Sequence, residues 1–308
     1  MRLHPKQFLG LEPAYTSFDD AAVAILPFPY EGGISYGRGT AGAPDAVLEA
    51  SYFLELYDEV LKAEVHRMGI ATVAPPTIPG EPERMIQTIQ SMVESLLDEG
   101  KFVVVIGGDH SISSGTCRAL REKAGSVSVI QLDAHADLRD SYEGSRLSHA
   151  CTMSRIREMT SDTFQLGIRS LSAEEAERVE REKIALCTMD AFRSGAFDVD
   201  CALKALPDPV FLTIDVDVFD WSVVASTGTP EPGGFLWDEA VSLLEKIFLR
   251  KCVIGFDVVE LAYHPADRNS PFAVAKLIYK MLGFKLKSEV QRRNLPWPDS
   301  PKGNLFLI

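Results

Sequence analysis

The chain has 308 residues, 46% hydrophobic and 24% charged, ordinary globular values that exclude a fibrous or disordered polypeptide. Thirty-one Lys and Arg stand against 44 Asp and Glu, a formal charge of −13, which argues against a general binder of nucleic acid or anionic membrane. Such a balance suits metal ions or cationic small molecules wherever carboxylates converge.

Cys117, Cys151, Cys187, Cys201 and Cys252 lie far apart and form no CxxC pair, so they are expected to be small buried hydrophobes in a reducing compartment. The first residues, MRLHPKQFLGLEPAYTSFDD, hold no apolar signal core, and AAVAIL and FVVVI fall far short of the ~20 residues of a spanning helix. A cytoplasmic protein without a membrane partner is expected.

In chain order, short β-branched runs predict strands at Ala22–Leu26, Phe102–Ile106, Ser128–Leu132, Phe164–Ile168, Val210–Ile214 and Cys252–Phe256. Apolar residues at helical spacing predict helices over Glu83–Glu99, Ser111–Lys123, Ala173–Glu182, Trp237–Leu249 and Phe272–Leu282. In the first, Met85, Ile86, Ile89, Met92, Val93, Leu96 and Leu97 recur at that spacing, with Glu94 and Asp98 opposite. Near-continuous apolar strands alternating with helices predict an α/β fold whose parallel sheet is covered on both faces. No repeat or linker divides the chain, so residues 1–308 read as one domain. Residues 283–308 read as a C-terminal tail, with Lys285–Ile308 polar and lying on the surface or against a neighbouring subunit.

Ligands of open parallel sheets bind outside the carboxyl ends of the strands, and four of those ends are unusual. FVVVI is followed by GGDHSIS; taken alone, His110 reads first as a satisfied core imidazole, and Asp109 reads equally as a helix N-cap. SVSVIQL is followed by DAHAD, whose Asp133, His135 and Asp137 alternate and would share one side of an extended segment. Carboxylate and imidazole donors converging there, with no lysine adjacent, suit a divalent cation better than a solvated turn. PVFLTI runs into DVDVFD, placing Asp215 and Asp217 on one face with Asp220 beyond, an arrangement that is costly without a counter-charge. CVIGF runs into DVVE, ending at Glu260, which alone says little. Four aspartates (133, 137, 215, 217) balance two divalent cations, and with His110 and His135 they can complete a two-metal centre bridged by Asp133 and Asp215. Metal-assisted hydrolysis is the expected chemistry.

GGDHS, DAHAD, DVDVFD and GTPEPGG (Gly228–Gly234), in this order at strand ends, resemble the ureohydrolase family, the binuclear manganese enzymes that include arginase and agmatinase. PFPYEGGISYGRGTAGAPDAVLEAS, QLGIRS (Gln165–Ser170) and DVVELAYHPADRNSPFAVAKL extend the resemblance over about residues 21–282, most like agmatinase. The resemblance implies a three-layer α/β/α sandwich with a mostly parallel, arginase-like sheet. It implies two Mn2+ per chain, one on His110, Asp133, Asp137 and Asp215 and the other on Asp133, His135, Asp215 and Asp217. His149, in SHACTM, would carry a proton to the leaving amine, and Glu260 would pair with the substrate guanidinium. A homo-oligomer, trimer or hexamer, is implied as well. The donor set also tolerates cobalt, iron or zinc.

The loop LRDSYEGSRLSHAC after DAHAD resembles that of agmatinases. Its Asp140 and Glu143 favour a cation at the far end of the substrate, whereas Arg139 and Arg146 would favour an anion. The expected reaction is hydrolysis of agmatine, or of N1-aminopropylagmatine, to urea plus putrescine or spermidine in polyamine biosynthesis. The alternatives are a carboxylate substrate (arginine or guanidinobutyrate), formiminoglutamate, or an inactive relative that serves binding or assembly. Departures from the family pattern bear on the substrate: Ala150 follows His149 in place of Gly, Trp221 follows Asp220 in place of Pro, and SVVAST lacks the usual Pro-Gly. Trp221 reads as reshaping the pocket rim or as a packing residue. The Gly-rich GGISYGRGTAG (Gly32–Gly42) lacks the ending of a phosphate loop and is expected near the active-site mouth or at a subunit contact.

Overall fold

Every residue of strand β1 (Val23–Phe28) is buried, and its side chains enter two apolar cores alternately, Val23 and Ile25 one, Ala24, Leu26 and Phe28 the other. The computed structural model describes residues 1–33 and 35–299. After a small antiparallel pair, β2 (Tyr57–Asp58) and β3 (Ala63–Glu64), come β4 (Ile70–Thr72), β5 (Phe102–Gly107), β6 (Ser128–Leu132) and β7 (Thr163–Ile168). They are followed by β8 (Ala185–Thr188), β9 (Val210–Asp215) and β10 (Val253–Val259). Eight of these form one sheet in the order β4-β1-β5-β10-β9-β6-β7-β8, with every pairing parallel.

Helices cover both faces, giving the three-layer α/β/α sandwich. After the single turn α1 (Pro13–Thr16), α2 (Ala43–Ser51) packs Val47 and Leu48 into the first core. On the other face lie α3 (Pro82–Asp98), α4 (Ser113–Ala124) and α5 (Thr152–Arg157), through Met85, Ile89, Leu120 and Ile156. α3 starts as its sequence directs, with Pro82 in its first turn and Glu83 at the positive end of the helix dipole. α6 (Ala173–Glu182) opens on a capping box between Ser172 and Glu175. The short α7 (Met189–Ser194) and α8 (Val199–Ala205) precede α9 (Trp237–Arg250) and α10 (Asn269–Arg293), which pack on the first core with α2.

The sequence pattern missed the two-residue β2 and β3 and, in the main sheet, β4 and β8, its two edges, only three and four residues long. The larger correction concerns the tail. α10 runs to Arg293, and Lys285, Ser288 and Glu289 are buried in it. Their polarity is internally matched, Lys285 to Glu289 at 2.7 Å and Lys287 to Glu245 at 2.8 Å, so a polar stretch belongs to the core. Residues 300–308 of the expected tail lie outside the described residues. Of the five free cysteines, Cys117, Cys151 and Cys187 are buried, but Cys201 is exposed and Cys252 partly so. Among the described residues no helix is long and apolar enough to cross a membrane.

One feature of the topology makes the site. β10, last of the strands in sequence, inserts between β5 and β9, so that β5, β10, β9 and β6 lie side by side. Their registers align the carboxyl ends: Val258 pairs with Ile106, Val259 with Asp215, and Leu132 with Ile214.

Candidate metal centre and active site

The first donor enters through a glycine that admits no side chain. A Cβ on Gly108 would lie 1.9 Å from the Tyr30 carbonyl oxygen, and this approach lets Asp109 N–H bond that oxygen at 2.9 Å. The Gly108 carbonyl in turn accepts Glu260 N–H at 2.8 Å, tying the β5 and β10 ends together. Asp109 is the N-cap that one reading proposed, accepting Ser111 N–H at 2.9 Å, and it also accepts Gly33 N–H at 2.6 Å. His110 follows in a 3-10 turn, fully buried, with Nε2 2.9 Å from Thr213 Oγ1.

Nδ1 of His110 therefore faces the carboxylates. It lies 3.2 Å from Asp133, 3.1 Å from Asp137 and 3.3 Å from Asp215, yet makes no hydrogen bond. Donors this close that do not point at one another are arranged around a common point, as ligands of a cation are. His110, Asp133 and Asp137 bring one donor atom each within 4.8 Å of one another; so do Asp133, His135 and Asp217. Asp133 is shared, so the centre is binuclear. The route differs from strand alternation, because β6 stops at Leu132 and Asp137 takes a left-handed φ of 52°. That turn sends Asp137 to one donor group and His135 to the other.

The donors are held before any ion arrives. Asp133 accepts His135 N–H and the Gln131 side-chain amide, both at 2.6 Å. Gln131 is itself held by Gln165, whose amide also donates to the Ala136 carbonyl. Asp217 accepts Ala134 N–H at 3.0 Å, and its own N–H donates to Asp215 at 2.9 Å. Electrostatics without a cation are strained. Burial and the neighbouring Asp133 push Asp137 up to about 7. Burial, then Asp217 and Asp133, hold Asp215 well above the carboxylate range. Two divalent ions would relieve this crowding, so the donor set fits them.

A cavity of about 250 Å³ opens over the donors, lined by His110, His135, Asp137, Asp215 and Glu260, with Ser35, Arg139, Tyr142, His149, Ser170, Leu171, Ser172 and Glu175 toward its sides and mouth. Glu260 adopts φ 65° and accepts His110 N–H at 2.7 Å. Burial, then Asp109, raises its carboxyl well above the usual range. His149 has Nε2 3.3 Å from Ser35 Oγ and its ring edge-on to Tyr142. Burial lowers its pKa.

A family model named Arginase matches residues 21–283. The chain belongs to the arginase family. It is 40% identical over 301 residues to an N(1)-aminopropylagmatine ureohydrolase of Synechocystis sp., covering 94% of this chain and 97% of that protein. An agmatinase of Pyrococcus horikoshii is 32% identical over 289 residues, 93% of this chain and 100% of that protein. Among solved structures, the agmatine ureohydrolase of Thermoplasma volcanium superposes with a TM-score of 0.83 at 27% identity, covering 95% of this chain and 97% of that one.

Within this ureohydrolase, the metal-donor candidates His110, His135, Asp137 and Asp215 line one cavity with His149 and Glu260, and Asp133 and Asp217 lie against His110 and His135. The substrate contacts expected from the loop do not join them. Asp140 is engaged by Arg146 and Arg155, each at 2.9 Å, and neither it nor Glu143 nor Trp221 lines the cavity. Glu143 sits at a left-handed φ of 50° in the turn between Tyr142 and Ser145, and Trp221 is exposed. The acidic side chain beside the metal donors and Glu260 is instead Glu175, whose oxygens accept Leu138 N–H at 2.9 Å and Ser172 N–H at 2.7 Å. Sequence reasoning missed it because it reads as a helix cap. It also missed Gln131 and Gln165, although two amides inside otherwise apolar strands are a signal of buried polar work. From the glycine-rich stretch, Gly33 N–H bonds Asp109 and Ser35 Oγ lies 3.3 Å from His149 Nε2.

Proposed function

We propose that this ureohydrolase cleaves the guanidino C–N bond of a cationic amine, N1-aminopropylagmatine or agmatine, with manganese as its metal, releasing urea and spermidine or putrescine. The observation that carries this reading is the composition of the cavity: with the aspartates balanced by two divalent ions, Glu175 and Glu260 remain against the single Arg139. Such a field draws a cation and repels a second carboxylate. The similarity to an N(1)-aminopropylagmatine ureohydrolase over nearly the whole chain supports the longer substrate.

His110, Asp133, Asp137 and Asp215 would hold one ion and Asp133, His135, Asp215 and Asp217 the other. What divalent ions supply in such a site is an acidified water nucleophile near neutral pH. The chain's own residues do the rest. Glu260, fixed by the His110 N–H and by its main-chain tie to Gly108, accepts guanidinium N–H groups and orients the carbon. The water oxygen bonds to that carbon, and the bond to the alkyl nitrogen breaks. His149, beside the cavity and made a weaker base by burial, takes up the proton given up by the attacking water and passes it to the leaving amine. Family membership supports a homo-oligomer, and a cytoplasmic location is part of the same reading.

Arg139, packed on the Tyr142 ring at 5.4 Å, is the feature that favours a carboxylate substrate instead. Urea release by manganese-loaded protein on agmatine, N1-aminopropylagmatine, arginine and 4-guanidinobutyrate separates the two. Urea is expected from the cationic pair, with little from the others. Equal turnover of the carboxylates would overturn the reading, and formamide from formiminoglutamate would replace it.

A further inference from the structure

Arg169 follows directly on β7, and its guanidinium reaches main-chain carbonyls on two different loops. Nη2 donates to the Asp217 carbonyl at 2.6 Å and to the Glu231 carbonyl at 2.8 Å, and Nε donates to Pro232 at 3.0 Å. Longer contacts reach Gly167, Val218 and Phe219. Gly167 makes the approach possible: its φ is +93°, and a Cβ there would lie 2.5 Å from Val218 Cγ2. β7 is thus drawn against the turn Val216–Val218, which carries Asp217.

Both tethered loops serve the same half of the centre. Asp217 and His135 belong to the second donor group. Glu231 Oε1 lies 3.8 Å from His135 Nε2, the ring nitrogen opposite the donor atom, since Nδ1 is the one that faces Asp217 at 2.8 Å. In the first group His110 bonds Thr213 and faces Asp137, neither of them on these loops, and Asp215 meets the turn only through the Asp217 N–H at 2.9 Å.

We propose that Arg169 is a positioning residue for the second metal position, formed by Asp133, His135 and Asp217, and not for the first. The proposal rests on the binuclear reading of the centre. Arginine suits the task because its planar fork presents donors in several directions at once; the single ammonium of lysine cannot span both loops.

The test compares wild type with Arg169→Lys and Arg169→Gln. Mn2+ binding is titrated calorimetrically on chelator-stripped protein, and melting temperature is recorded in chelator and in excess Mn2+. Wild type is expected to bind two ions. Both variants should keep the first ion at wild-type affinity and bind the second about 10–100-fold more weakly. The rise in melting temperature on adding Mn2+ should shrink accordingly, and Lys should not rescue. A purely structural residue would lower the melting temperature equally with and without metal and leave both affinities intact, which overturns the proposal. Equal weakening of both ions overturns it too, as does failure of both variants to fold. A wild type that binds fewer than two ions overturns the binuclear reading itself.

Discussion

His149 is half-buried between Ser35 and Tyr142, in the cavity mouth above the metal donors. Its burial lowers the pKa, so the ring is neutral at neutral pH and, once protonated, releases its proton readily. Asparagine has a similar polar shape and carries no transferable proton. His149→Asn is expected to lower kcat by about 10²–10⁴-fold while metal content stays at wild-type level. Steady-state kinetics with elemental analysis check this; lost metal together with lost activity would mean that the ring supports the centre instead. At this scale the sequence was most legible where a residue type has one chemistry. The residues of the two donor groups, His110, Asp133, His135, Asp137 and Asp217, were readable as donors, whereas Asp140 was ambiguous because a carboxylate in a loop serves equally as a substrate contact or as a partner for Arg146 and Arg155.

The ends of β5 and β10 act as one unit. Gly108 carries the contact, since its carbonyl holds Glu260 N–H and its Cα approaches the Tyr30 carbonyl. An added methyl meets rigid backbone, not a flexible side chain. Gly108→Ala is expected to cost about 1–3 kcal/mol or more of stability and to displace His110 and Glu260 together. Denaturant unfolding checks the first effect, and a stability within experimental error of wild type would show that the turn can shift. Long amphipathic or fully apolar elements such as α3, β5 and β9 were visible in the sequence because one periodicity dominates them. The far half of α10 was not, since Lys285, Lys287 and Glu289 look like surface residues until their partners are known.

Across the molecule, the concentration of buried acid near the sheet's carboxyl edge makes stability depend on pH. Burial pushes Asp257 up to about 6, and burial with Asp133 pushes Asp137 up to about 7. Asp215 and Glu260 are raised further by burial and neighbouring acids. His110 and His135, lowered by burial but raised overall by the carboxylates around them, act in the same direction. Groups whose folded pKa exceeds the unfolded value hold extra protons in the folded state, so stability falls as pH rises through that window. In chelator, stability is expected to fall by on the order of 3 kcal/mol between about pH 5 and about pH 8. Excess Mn2+ should largely remove the fall, because cations favour the charged carboxylates. Melting curves across pH with and without Mn2+ decide it; a flat profile in chelator would contradict the electrostatic account.

What the sequence determined by itself was the inventory: apolar strands, covering helices and the donors that follow each strand. These are local properties, set by periodicity and by the residues at a strand's carboxyl end. What only the tertiary structure decided was their adjacency. The position of β10 between β5 and β9 is a long-range pairing that no local pattern encodes, and it brings Glu260 beside His110. The division of the donors into two groups depends on the left-handed turn at Asp137, a backbone state that an Asp can adopt but does not announce. The clamp of Arg169 on the Asp217 and Glu231 loops is likewise made of carbonyl contacts, which every residue type offers equally and which only the folded chain brings within reach.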